Sequence, residues 1–198
     1  MTVLIDYGAG NTKSVMNALD RIGAQYKLSS DLNVIADSSR LILPGVGHAA
    51  AAMEQLKSRD LVSVLQNYKK PFLGICLGMQ LMYEHSEEGD TTCLGLIPGI
   101  VRKFEANSLQ KVPHMGWNDF SNVSGHYTLA GLDFGSTAYF VHSYYASLSA
   151  FTISECTYIL PFSAAISYEN YTGIQFHPEK SGATGQKILS NFINISDD

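Results

Sequence analysis

Apolar runs and the polar residues that break them divide the chain into short strands alternating with helices. Val3-Leu4-Ile5 is apolar without alternation, as a strand buried on both faces must be, and it runs into the turn-forming Asp6-Tyr7-Gly8-Ala9-Gly10. Asn11 then caps a helix over roughly Thr12 to Ile22, where Val15, Met16, Leu19 and Ile22 recur at helical spacing. Short strands follow at Tyr26 to Leu28 and at Leu41-Ile42-Leu43, the second ending in the turn Pro44-Gly45-Val46-Gly47. Ala49 to Lys57 and Leu61 to Tyr68 read as helices. Pro71-Phe72-Leu73-Gly74-Ile75 is again apolar on both faces, the mark of a central strand in a parallel sheet, and Leu77 to Glu84 reads as a helix.

Beyond Gly89 the character changes to short β-rich runs: Gly99 to Lys103, Ala138 to Val141, Phe151 to Ser154, Ala164 to Tyr168 and Thr172 to Gln175. A helix over Ser181 to Phe192 closes the pattern. The expected fold is α/β, an open and mostly parallel twisted sheet with helices on both faces and some antiparallel additions. No repeat, low-complexity stretch or linker divides the chain, so one domain over residues 1–198 is expected.

Composition narrows the function classes. With 45% hydrophobic and 16% charged residues the chain has the make-up of a folded globular protein. A net charge of -5 supplies no basic field for phosphates, so nucleic acid is not an expected partner. No segment approaches membrane-spanning length, and the start lacks the basic residues and long apolar stretch of a signal peptide. The three cysteines, Cys76, Cys93 and Cys156, match no metal knuckle or disulfide framework, which suits a reducing cytoplasm.

Gly74-Ile75-Cys76-Leu77-Gly78 carries the sharpest chemistry, because it sits where a predicted strand passes directly into a predicted helix. That is the setting of a nucleophile elbow. Glycines two residues to either side remove Cβ atoms where strand and helix crowd, and the helix N-terminus favours a thiolate. Taken alone, the pattern fits a small buried cysteine under a helix as well as it fits a nucleophile. For Cys93 and Cys156, which lack such a setting, the packing role is expected.

A thiolate nucleophile needs a base held by a third group. Of the six histidines, His177 alone combines a strand exit with an adjacent acid: Gly173-Ile174-Gln175-Phe176-His177-Pro178-Glu179 places a carboxylate two residues on. The backbone N–H of Leu77 is the natural first donor to a developing oxyanion, and the turn Pro44-Gly45-Val46-Gly47 is a candidate for the second.

Taken together, Pro44-Gly45-Val46-Gly47, Gly74-Ile75-Cys76-Leu77-Gly78-Met79-Gln80 and Gln175-Phe176-His177-Pro178-Glu179-Lys180 resemble the class I glutamine amidotransferases. Within that family, Asp6 to Asn11, Pro113-His114-Met115-Gly116-Trp117-Asn118 and Tyr139-Phe140-Val141-His142-Ser143-Tyr144 are similar to the glutaminase subunits of imidazole glycerol phosphate synthases. The resemblance implies hydrolysis of L-glutamine through a Cys76-His177-Glu179 triad and a thioester, with Leu77, Val46 and Gly47 around the oxyanion. Glutamine would be held by Gly47, Gln80, Glu88, Ser143 and Tyr144. It implies delivery of ammonia to a separate (β/α)8-barrel cyclase subunit in histidine biosynthesis, met through Asn11, Trp117, Tyr139 and Lys180, with no metal or organic cofactor. His142, beside Ser143, is given a structural or signalling role. Trp117 is expected in a loop. Rival readings are the glutaminase of another synthase, such as that making pyridoxal phosphate, a stand-alone γ-glutamyl hydrolase, and a silent scaffold subunit.

Overall fold

A computed structural model describes residues 1–8 and 11–195; Ala9 and Gly10 of the predicted turn and residues 196–198 lie outside the described residues. The first half of the chain alternates β1 (Thr2–Ile5), α1 (Thr12–Arg21), β2 (Tyr26–Ser29), α2 (Leu32–Asp37), β3 (Arg40–Leu43), α3 (Ala49–Ser58), α4 (Leu61–Gln66), β4 (Phe72–Ile75) and α5 (Leu77–Leu81). Strands then dominate: β5 (Tyr83–Ser86), β6 (Thr91–Thr92), β7 (Ile97–Lys103), β8 (His114–Val123), β9 (Thr137–His142), β10 (Tyr144–Ala146), β11 (Thr152–Tyr158), β12 (Leu160–Tyr168) and β13 (Tyr171–Ile174), before α6 (Gly182–Ile193).

One nine-stranded sheet runs in the order β2-β1-β3-β4-β13-β12-β11-β8-β9. Its pairings from β2 to β13 are parallel, and those from β13 to β9 are antiparallel, so the antiparallel part is larger than the sequence suggests. A smaller sheet, β10-β7-β5-β6, lies beside it.

The non-alternating apolar strands are buried on both faces, as their sequences require. Val3, Ile5, Leu41 and Leu43 pack with Ile35, Met53, Leu56, Leu61 and Leu65 of α2, α3 and α4, whereas Leu4, Ile42, Leu73 and Ile75 pack with Val15 and Leu19 of α1 and Ile188 and Leu189 of α6. Helices thus cover both faces of the parallel half.

Several elements differ from what the sequence predicts. The helix expected over Leu77 to Glu84 stops at Leu81, and Tyr83–Ser86 instead joins the small sheet. Four elements that the pattern did not signal are α2, capped by Asp31, the two-residue β6, the ten-residue β8 and the short β10. Trp117 therefore lies on a strand, not in a loop.

Candidate functional site

The site is built at the C-terminal ends of the adjacent parallel strands β4 and β13, where Ile75 and Ile174 are directly paired. The residues just beyond them, Cys76 on one side and Gln175 to Glu179 on the other, are consequently brought together. Cys76 links β4 to α5 with φ +53° and ψ -110°, a strained conformation for a residue bearing a side chain, of order 1–3 kcal/mol. Its N–H donates to the Ile174 carbonyl at 2.8 Å, and its carbonyl accepts from Gln80 N–H at 3.2 Å, which fixes the elbow between strand and helix.

The flanking glycines are required by contact. A Cβ on Gly78 would stand 2.0 Å from the Leu43 carbonyl oxygen, and one on Gly74 would stand 2.7 Å from the Gly78 oxygen. Gly45 of the turn after β3 meets the same elbow, since a Cβ there would lie 2.5 Å from Gly78 N. Bare backbone on both sides lets the Val46-Gly47 turn sit against the start of α5. Gly47 has φ +99°, a conformation that side-chain-bearing residues rarely adopt.

The histidine and acid meet as the spacing predicts. His177 Nδ1 donates to Glu179 Oε1 at 2.8 Å, and both side chains are almost fully buried. Burial alone pulls the His177 pKa down; Cys76 and Glu179 outweigh it and hold the pKa well above the ordinary imidazole value. Cys76 raises it first as a hydrogen-bonding neighbour of the ring and then by charge, although Nε2 makes no hydrogen bond of normal geometry among the described residues. The loop carrying His177 is clamped to β9: His177 N–H donates to the Tyr139 carbonyl, Tyr139 N–H donates to Ser181 Oγ, and Ser181 Oγ donates to the His177 carbonyl.

A cleft of about 290 Å³ opens over Cys76 and His177 and is small for a ligand pocket. The candidate oxyanion residues Val46, Gly47 and Leu77 and the candidate substrate residues Gln80, Glu88, Ser143 and Tyr144 all line it. Two of these have partners already. Gln80 Nε2 donates to the Tyr144 carbonyl at 2.9 Å and to Gln175 Oε1 at 3.0 Å, and Glu88 Oε2 accepts from Ala49 N–H at the start of α3.

Of the residues expected at a partner surface, Trp117 (58% exposed), Tyr139 and Lys180 form one cluster: the two rings meet edge to face, and the Lys180 ammonium lies 5.6 Å above the Tyr139 ring. Asn11 caps α1, accepting from Ser14 N–H, at the N-terminal end of a helix packed against the Pro178–Lys180 turn. Met115, 63% exposed on β8 beside Trp117, belongs to the same strand face and went unnoticed in the sequence.

Comparison with known proteins agrees with this geometry. A family profile described as glutamine amidotransferase class-I matches residues 3–195. The chain belongs to the class I glutamine amidotransferases. Among relatives of this family, the imidazole glycerol phosphate synthase subunit HisH of Shewanella sediminis is 48% identical over 98% of this chain and 90% of its own length. The protein of that name from Xanthomonas campestris pv. campestris is 45% identical over 98% of this chain and 96% of its own. In fold, the chain is similar to a solved structure described as a glutamine amidotransferase, with a TM-score of 0.73 at 16% identity, covering 96% of each chain. The structure of PurLQS from Thermotoga maritima gives a TM-score of 0.67 at 20% identity over 98% of this chain and 97% of that one.

Two more residues of this class I glutamine amidotransferase touch the site without having been singled out from sequence. Gln175 Nε2 points at the Cys76 sulfur from 3.7 Å, and the Tyr7 hydroxyl, buried close to Cys76, donates to the Pro44 carbonyl at 3.0 Å. Both lie inside recognised motifs, so position in a motif was the available signal.

Proposed function

We propose that this chain is the glutaminase subunit of an imidazole glycerol phosphate synthase, and that Cys76, His177 and Glu179 hydrolyse L-glutamine to glutamate and ammonia. The observation that carries the reading is the convergence, over one small cleft, of a strained cysteine at a strand-to-helix elbow and a buried, carboxylate-held histidine. Near full-length similarity to the HisH subunits supports the choice among amidotransferases.

The thiol proton of Cys76 passes to His177 Nε2, leaving a thiolate beside an imidazolium that Glu179 holds. The Cys76 sulfur attacks the side-chain carbonyl carbon of glutamine, forming a C–S bond and a tetrahedral oxyanion that accepts from Leu77 N–H and an N–H of the Val46-Gly47 turn. Collapse breaks the C–N bond while His177 Nε2 gives its proton to the departing nitrogen, releasing ammonia. Water then attacks the thioester, His177 takes up its proton, and the C–S bond breaks to give glutamate and free Cys76. Glu179 keeps the imidazole in the orientation and tautomer this needs. Glu88 pairs with the substrate α-ammonium, and the Ser143-Tyr144 backbone with its α-carboxylate.

The partner is a (β/α)8-barrel cyclase seated on Asn11, Trp117, Tyr139 and Lys180, through which ammonia travels unprotonated in the cytoplasm. Ligand binding on the partner switches the Gly45-Val46 peptide of the turn into the orientation in which the Val46 N–H donates to the oxyanion. The test is Cys76→Ala: the complex loses all glutamine-driven synthesis yet keeps synthesis from added ammonium salt. Glutamine hydrolysis surviving in that variant refutes the assignment.

A further inference from the structure

The motif around Pro113 to Asn118 and the histidine beside Ser143 are not used by the hydrolytic steps, yet they are joined inside the protein. His114 on β8 and His142 on β9 are directly opposed in the strand register, both buried, with His114 Nδ1 2.9 Å from His142 Nε2. The other nitrogen of His142, Nδ1, is 2.8 Å from the Tyr144 carbonyl, and the other nitrogen of His114, Nε2, is 3.2 Å from Asn118 Nδ2. Asn118 Nδ2 also donates to the Thr157 carbonyl at 3.1 Å, while its Oδ1 accepts from Asp119 N–H.

The direction of every bond follows from these contacts. A carbonyl only accepts, so His142 Nδ1 carries a hydrogen. Burial, chiefly, pushes the His142 pKa to about 3 and the His114 pKa to about 4, so both rings are neutral. His142 Nε2 is then bare and accepts from His114 Nδ1–H, which leaves His114 Nε2 bare to accept from the Asn118 amide. The amide orientation this demands is the one that the Thr157 and Asp119 contacts fix independently. Ring freedom is small, because His114 is stacked between Phe140 and Tyr158 with centroids 4.9 and 4.1 Å away.

We infer that Asn118, His114 and His142 form a one-directional hydrogen-bond relay whose function is to position the Tyr144 carbonyl, and with it the Ser143-Tyr144 wall of the substrate cleft. The Tyr144 carbonyl is the relay's terminus and also accepts from Gln80, so donors arriving from both sides of the cleft hold that wall. The relay begins on β8, the strand that turns Met115 and Trp117 outward, and ends at the residues proposed to bind glutamine. His114 and His142 are positioning residues on this view, and the inference rests on the glutaminase reading given above.

Two measurements test it. Long-range 1H–15N correlation on the full chain at neutral pH is expected to show both His114 and His142 neutral, with hydrogen on Nδ1 and none on Nε2. A hydrogen on Nε2 of either ring, or a cationic ring, overturns the relay. In the reconstituted complex, His142→Asn keeps a donor near the Nδ1 position and His142→Leu removes it. The KM for glutamine is expected to rise about three- to tenfold more in the Leu variant than in the Asn variant, with kcat within about twofold between them. Asn118→Asp, isosteric and outside the cleft, replaces the donor facing His114 Nε2 with an acceptor and is expected to raise KM by a similar factor. Equal KM in the two His142 variants overturns the positioning role, whether or not Asn118→Asp folds. A wild-type complex that releases no ammonia from glutamine fails the functional reading; one that does so with other tautomers fails this inference alone.

Discussion

Replacing Gly78 by alanine adds one methyl group at the point where the elbow crosses β3. That Cβ would sit 2.0 Å from the Leu43 carbonyl oxygen, whereas real Cβ contacts essentially never fall below 3.0 Å, so the two segments must part by about 1.0 Å. Because β3 is paired on both edges, to β1 and to β4, α5 is the element that gives. Overpacking of this kind costs about 1–3 kcal/mol. In a protein of this size that is a melting midpoint lower by roughly 3–10 °C. The larger effect falls on rate, since α5 carries Leu77 and fixes Cys76, and a misplacement of about 1 Å at a reacting group lowers turnover by about a hundredfold. Gly125→Ala is the control, because nothing lies within 4 Å of a Cβ there and its φ is not positive. The assay compares glutamine-driven with ammonia-driven synthesis by the reconstituted complex, the second reporting folding and assembly. We expect Gly78→Ala to keep ammonia-driven synthesis and to lose about two orders of magnitude of the glutamine-driven rate, with Gly125→Ala at wild-type level in both. Glutamine-driven turnover within twofold of wild type in Gly78→Ala would refute the contact argument.

Three further outcomes are expected. The raised His177 pKa, about 10, means a ring protonated through neutral pH, whose contribution to folding stability is complete below about 6.5 and fades as pH rises through about 10. NMR titration should therefore show His177 cationic at neutral pH in the wild type and titrating lower in Cys76→Ala; an unchanged titration removes Cys76 as a cause. Tyr7→Phe loses the bond to the Pro44 carbonyl and should lower urea-unfolding stability by about 1–3 kcal/mol, while an unaltered midpoint would mean that Tyr7 does not tether the turn. Finally, glutaminase turnover from the chain alone, through the complex, to the complex with the partner's own ligand bound should rise by a factor of about a hundred to a thousand, the value of one oxyanion donor. Equal rates in all three would return Val46-Gly47 to an ordinary turn.

The parallel half of the sheet was legible because Val3-Leu4-Ile5, Leu41-Ile42-Leu43 and Phe72 to Ile75 are buried on both faces and must be apolar throughout. β8 was illegible for the opposite reason. It turns Met115 and Trp117 to solvent and buries His114, so its polarity runs against the rule that marks strands. Large apolar side chains turned to solvent hide their own strand. The continuation of α5 was mistaken because Leu81, Met82 and Tyr83 are all buried, helix or not, and tertiary pairing with β7 decided the outcome. Cys76, His177 and Glu179 could be picked out because local context marks each of them. The bonds from Gln175 and Tyr7 join segments far apart in the chain, and no local pattern encodes them.

The pairing of β4 with β13 has a consequence for how the protein is made. Strand β4 and its cysteine leave the ribosome roughly a hundred residues before the strand that brings the histidine. Until Tyr171–Ile174 inserts between β4 and β12, Cys76 has neither His177 nor Glu179 beside it, and its strand has an open edge. Joining strands so distant in sequence is a slow step in folding. A nascent or truncated chain thus carries Cys76 without the residues that flank it in the finished fold, and the cleft is assembled only when the centre of the sheet closes.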